Sequence, residues 1–277
     1  MPVYLRAFYR FFRRFSCCRA TFSAINSELG QDVPALEAAS HLLGAGVARS
    51  GLTCGILIGS LMSSGVSLYG RYMDDGKLAW IEAAKKIADN FKKISKNRLT
   101  CNELVGVNFS KRFGFWSYIF SVRWLICAPL AAKQSRYATK VIKEYLANSQ
   151  SAEVESLYCG ERVIENSELG VDIKNSARAA VSTLACGCAS TGQLCGALAA
   201  KILVAGVESI GNKLGIVKAV SSELFDPEVL YEHSREVLGE FVSRFGSPFC
   251  ASILCRNCSY DELNKILSQP PCSLIVS

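Results

Sequence analysis

The pentapeptide Asn26-Ser27-Glu28-Leu29-Gly30 returns as Asn166-Ser167-Glu168-Leu169-Gly170, 140 residues further along the chain. Thr53-Cys54-Gly55 corresponds to Leu194-Cys195-Gly196, and Gly65-Val66 to Gly206-Val207, both at a shift of 141. Phe91 to Cys101 resembles Phe241 to Cys250 in composition and position. Self-similarity at a near-constant shift marks a duplicated structural unit. It confines the chain to folds that can be built twice. The expectation is two small modules of about 90 residues, separated by a long insertion and packed as pseudo-symmetric partners.

Within the modules the local signals are helical. Cys18 to Gly30 predicts a helix that closes on Glu28-Leu29-Gly30. Pro34 suits the start of the next, which carries Ala35, Leu36, Ala38, Ala39, Leu42 and Leu43 and ends in Gly44-Ala45-Gly46. The stretch from Gly51 opens an apolar helix to about Leu68. Gly51, Gly55, Gly59 and Ser63 recur along it every four residues, a face that permits close helix contact. A more polar helix follows from Lys77 to Ile94. The fold class expected is therefore all-α: two pseudo-symmetric helical modules joined by a basic aromatic insertion. The segments divide as 1–16 (basic amphipathic helix), 17–104 (first module), 105–157 (insertion), 158–258 (second module) and 259–277 (tail).

The net charge of +7 is not spread evenly. Four arginines precede Ser16 and seven lysines or arginines lie between Val105 and Lys143, with no acid in either stretch. Removing those eleven leaves 20 basic and 24 acidic side chains, a net −4, so the basic balance belongs to two patches. In the first, Phe8, Phe11, Phe12 and Phe15 form a helical stripe beside Arg6, Arg10 and Arg13. That pattern suits an anionic membrane surface, or equally a helix docked on the protein or on a partner subunit. In the second, Phe113 to Leu130 is aromatic and apolar but is broken by Arg123 and Pro129, which disfavours a spanning helix. An interfacial or re-entrant hairpin, or a subunit-docking surface, fits better, with Lys111, Arg112, Lys133 and Arg136 as a positive rim. Nucleic acid is not expected as a partner, because the apolar density is too high for a solvated stacking groove.

Thirteen cysteines in 277 residues, without a signal peptide of the usual form, suggest a cytoplasmic, peripherally membrane-associated protein with most thiols reduced or metal-bound. Three of them crowd into Cys186-Gly187-Cys188-Ala189-Ser190-Thr191-Gly192-Gln193-Leu194-Cys195. If a helix begins near Gln193 or Leu194, Cys195 lies in its first turn, where N–H groups and the dipole favour a thiolate. Thiols held in this way can be metal or cluster ligands, or a redox pair. Cys255-Arg256-Asn257-Cys258 could be a dithiol or two ligands of one metal. Covalent haem is excluded there, since position 259 is serine.

The second module resembles the redox-active family described by the pattern C…GCAxxG…C…C. The matching residues are Cys159, then Gly187-Cys188-Ala189-Ser190-Thr191-Gly192, then Cys195 and Cys250. The likeness covers about Tyr158–Leu254. It implies a small helical protein of anaerobic redox metabolism, with those four cysteines as its functional positions. The first module resembles the family less completely, because Val47 stands where the pattern has cysteine. Cys18 (or Cys17), Cys54 and Cys101 keep their places as a possible second site.

With that resemblance, the leading expectation is an iron–sulfur cluster on Cys159, Cys188, Cys195 and Cys250, serving electron transfer with a redox partner protein at a membrane surface. Zinc is the alternative metal. A dithiol exchanger using Cys188 and Cys195, or Cys255 and Cys258, is the second class. A scaffold without cofactor, its cysteines merely packed, is the third. No acid–base constellation is evident, the only histidines being His41 and His233.

Overall fold

A computed structural model describes residues 1–14, 16–109, 111, 113–154, 158–214 and 227–257. Among the described residues the regular structure is helical apart from one two-stranded ribbon, as the periodicity predicts. The first module holds α1 (Val3–Arg14), α2 (Cys17–Leu29), α3 (Pro34–Ala39), α4 (Gly55–Leu68), α5 (Ala79–Ile94) and α6 (Cys101–Val105). Two helices follow, α7 (Gly114–Phe120) and α8 (Trp124–Ala147). The second module has α9 (Cys159–Glu165), α10 (Val171–Ser182), the single turn α11 (Ala185–Cys188), α12 (Gly196–Leu214), α13 (Pro227–Phe245) and α14 (Cys250–Asn257). The ribbon pairs β1 (Arg71–Met73) with β2 (Ser149–Ser151), antiparallel, Arg71 opposite Ser151.

Local chemistry places several boundaries. Ser16 accepts from the Arg19 N–H at the start of α2, and Gly30 closes that helix in the left-handed region at φ 70°. Pro34 occupies the first turn of α3. The apolar helix begins at Gly55 rather than near Gly51, which lies outside it at φ 71°.

The modules cross reciprocally. α4 of the first packs on α10 of the second, and α12 of the second packs on α3 of the first. Glycine permits both crossings. A Cβ on Gly65 would stand 2.0 Å from the Ala179 carbonyl oxygen, and one on Gly206 would stand 3.0 Å from the Ala39 Cβ. These are equivalent positions, so the interface is two-fold in character. The chain is thus a pair of related helical modules joined face to face.

The 105–150 region is not a hairpin set apart from the modules. The inner face of α8 is buried against α2, α4 and α5. Its buried Gln134 donates to Ser60 Oγ (3.3 Å) and to the Ile87 carbonyl (3.0 Å). The stripe expected on α1 is also divided. Phe11 lies in the core with Val3 and Ala7, Phe12 is half-buried and Phe8 is exposed, because α1 docks on α2 and α8. Phe15 lies outside the described residues. Among the described residues no helix is long and apolar enough to cross a membrane.

Candidate functional site

The Gly-Cys-Ala-x-x-Gly stretch folds as a left-handed turn. Cys186, Gly187, Cys188, Ala189 and Ser190 all have φ between 52° and 74°, and Gly192 follows at 72°. L-residues in that conformation cost roughly 1–2 kcal/mol each, and they rarely occur in succession. The turn recovers hydrogen bonds six residues back: Ala189 N–H to Thr183 O (3.0 Å), Gly192 to Cys186 (3.3 Å) and Gln193 to Gly187 (3.0 Å). Gly187 must be glycine for a second reason: a Cβ there would meet the Gln193 nitrogen at 2.6 Å. Module one repeats the turn residue for residue. Ala45, Gly46, Val47, Ala48 and Arg49 have positive φ, Gly51 follows, and Ala48 N–H bonds Leu42 O at 2.7 Å. Val47 therefore occupies the place of Cys188 in backbone as well as in sequence.

Each turn feeds a short antiparallel contact that ends at a helix. Thr53 pairs with Thr100, flanked by Cys54 N–H to Leu99 O (2.8 Å) and Cys101 N–H to Leu52 O (2.7 Å). Leu194 pairs with Phe249, flanked by Cys195 N–H to Pro248 O (2.9 Å) and Cys250 N–H to Gln193 O (2.9 Å). In both, the ladder sets the two cysteines on the same face, diagonal to each other. Cys54 and Cys195 sit just before α4 and α12, one position outside the first turn expected for Cys195. Their carbonyls accept the first intrahelical bonds, from Ile58 (3.2 Å) and Ala199 (3.0 Å).

The remaining motif cysteines gather at the same helix starts. Cys159 opens α9, and its Sγ would be 3.4 Å from a Cβ on Gly196. Cys188 is fully buried and directs Sγ toward the Leu194 carbonyl at 3.8 Å. In module one the Cys17 Sγ would be 2.8 Å from a Cβ on Gly55. The side chain of Cys255, and Cys258 and Cys272 altogether, lie outside the described residues.

These thiols are electrostatically unequal. The Cys101 S–H donates to Cys54, and with the Ile56 and Leu57 N–H groups at the start of α4 it holds Cys54 below the usual thiol range despite burial. Cys101 is raised, first by that bond and then by burial. Burial, with Cys54 adding to it, pushes Cys17 up to about 12. Burial also raises Cys18, with Cys17, Cys54 and Cys188 of the other module adding to it. Burial raises Cys188 too, Cys195 contributing. Cys127 of α8 lies outside the motif: it is raised by burial and by Cys17, and the Tyr118 hydroxyl donates to it. The sequence signal for Cys127 was slight, since an apolar stretch hides a lone cysteine well.

The motif cysteines supply the donor chemistry of a metal site. Even so, among the described residues no three Cys, His, Asp or Glu side chains are grouped to hold a metal ion. The described thiols are neighbours without being arranged as a closed ligand set, and a direct contact among them is the Cys101-to-Cys54 hydrogen bond.

Fold and site together define a duplicated all-α protein with cysteines gathered at buried helix starts. The chain belongs to the family described as "Putative redox-active protein (C_GCAxxG_C_C)", whose profile matches residues 15–141 and again 157–277. The first match runs well into α8, beyond position 104 where the sequence placed the end of module one. No curated protein and no solved structure matches the chain.

Proposed function

We propose that this redox protein works as a two-electron dithiol carrier, with Cys54 and Cys101 as one pair and Cys195 and Cys250 as its equivalent. The observation that carries the reading is the Cys101-to-Cys54 hydrogen bond at the start of α4, which favours one thiolate and holds a second thiol beside it. Such a pair can reduce a low-molecular-weight disulfide. The Cys54 thiolate attacks one of its sulfurs, the S–S bond breaks and one thiolate leaves, taking up the proton that Cys101 gives up. Cys101 then attacks the mixed disulfide and expels the second thiolate, which is protonated from solvent. The Cys54–Cys101 bond closes and the substrate disulfide has become two thiols. Cys54 is 1% exposed, so the partner is a small molecule or a protein that opens the site.

The test is mapping of disulfides in the full chain after oxidation by a small disulfide, by alkylation and peptide mass. Loss of alkylation at Cys54 and Cys101 together is expected, and Cys54→Ser leaves Cys101 alkylatable. Both thiols alkylated in full after oxidation of other cysteines would sink the reading.

A second reading is an iron–sulfur centre on Cys159, Cys188, Cys195 and Cys250. It is favoured by the number and type of thiols about the start of α12. Stoichiometric iron and sulfide in anaerobically purified protein, lost in Cys188→Ala, would support it over the dithiol.

A further inference from the structure

We infer that the face formed by α1 and residues 113–126 docks on an anionic lipid bilayer, a surface independent of the redox chemistry. The two segments are about a hundred residues apart in sequence and meet in the fold. Phe8 packs on Phe12 with ring centroids 4.8 Å apart, and Phe12 meets Trp124 edge-on at 5.2 Å. With Phe11 holding α1 to the core, Leu5 and Tyr9 remain exposed. Beyond Trp124, Trp116 is 55% exposed and stacks at 5.9 Å on Phe120, itself 77% exposed. Phe113 and Leu125 of the same segment are exposed as well. A run of large exposed apolar groups on this scale marks an interaction surface.

Charge selects the occupant. Neither 1–15 nor 105–143 contains an acid. Arg13 lies over the Tyr9 ring at 5.7 Å and Arg136 over the Tyr4 ring at 5.9 Å, so cations stand beside the aromatics. Lys111 and Lys133 are exposed. Glu28, an acid in contact with α1, is engaged by Arg6 (3.4 Å) and Lys143 (3.3 Å). Aromatic groups with polar tips inside a positive rim suit the headgroup boundary, where rings reach the acyl region and the cations meet phosphate.

The test is flotation of the full chain with vesicles of phosphatidylcholine and phosphatidylserine, against phosphatidylcholine alone. Binding is expected to the mixed vesicles, with weakening by salt and a blue shift of tryptophan emission from Trp116. The double variant Trp116→Ser/Phe120→Ser changes exposed groups only. It should keep its thermal melt and lose affinity on the order of a hundredfold. Arg13→Glu with Lys133→Glu should lose about tenfold or more. Equal recovery in the unbound fraction with and without phosphatidylserine would overturn the proposal. So would unchanged binding by the double variant, or a dimer in solution that shields Trp116 and is abolished by that variant, which would make a second copy the occupant.

Discussion

At the scale of single residues, the cysteines differ by what touches them rather than by how deeply they are buried. Cys54 and Cys101 are both inside, yet one is held low by a donated hydrogen bond while the other is raised. Cys101→Ala removes the donor, so Cys54 should ionise at higher pH. The thiolate absorbance that Cys54→Ser eliminates should move upward, and no movement would show that the helix start alone sets the value. Glu161 behaves in the opposite sense. It is fully buried in α9, accepts from the Tyr158 N–H (3.0 Å) and from the Tyr69 hydroxyl of the other module, and burial raises it from 4.5 to about 7. The folded protein therefore holds this proton through a pH range in which the unfolded chain has released it. The contribution is complete below pH 4.5 and is lost as pH rises through 7, about 3 kcal/mol in all. Urea denaturation should show Glu161→Gln flattening that decline. An unaltered slope would place the titration elsewhere.

The left-handed turns matter most at the scale of elements. Gly187→Ala would force a methyl to within 2.6 Å of backbone at φ 74° and should cost at least about 3 kcal/mol. Gly30→Ala, at φ 70° with nothing within 4 Å, should cost only about 1 kcal/mol. Chemical denaturation of the two variants separates contact from conformation, and equal losses would mean that contact is irrelevant. Much of this architecture was legible in the letters: Pro34, Gly30 and the apolar spacing of 55–68 act through local chemistry that a sequence displays. The turns were not, because Ala45, Val47 and Arg49 carry no sign of positive φ; only the surrounding hydrogen bonds impose it. The most literal repeat marks the duplication without marking an equivalent helix end. Gly30 ends α2 in the left-handed region, while Gly170 precedes α10 at φ −59°, since α9 stops at Glu165. Letters recur at a shift of 140 there, but the helix ends do not: α2 runs to Leu29 whereas α9 already stops at Glu165. The motif cysteines come from the family resemblance, whereas their placement across an antiparallel contact is a tertiary fact that no sequence pattern contains.

For the molecule as a whole, the crossing glycines control whether the modules unfold together. Gly65→Val should clash with the Ala179 carbonyl and loosen the crossing of α4 and α10. Calorimetry should then show a lower melting temperature, and one transition resolved into two if each module retains its own core. A melt identical to the parent protein would mean that the crossing is peripheral to stability.

The two-fold crossing has a further consequence. In an assembly of two identical chains, every substitution is made twice, and a site lost in one copy is lost in the other. Joining the copies in one polypeptide releases that tie. Val47 could replace a thiol in one turn while Cys188 stayed in the other, and Cys127 could enter the first thiol cluster from α8. The chain thus carries two groups of cysteines beside turns of common backbone and in unequal surroundings. Burial and neighbours differ between the two groups, so a thiol reagent that reaches both would distinguish them within one folded unit.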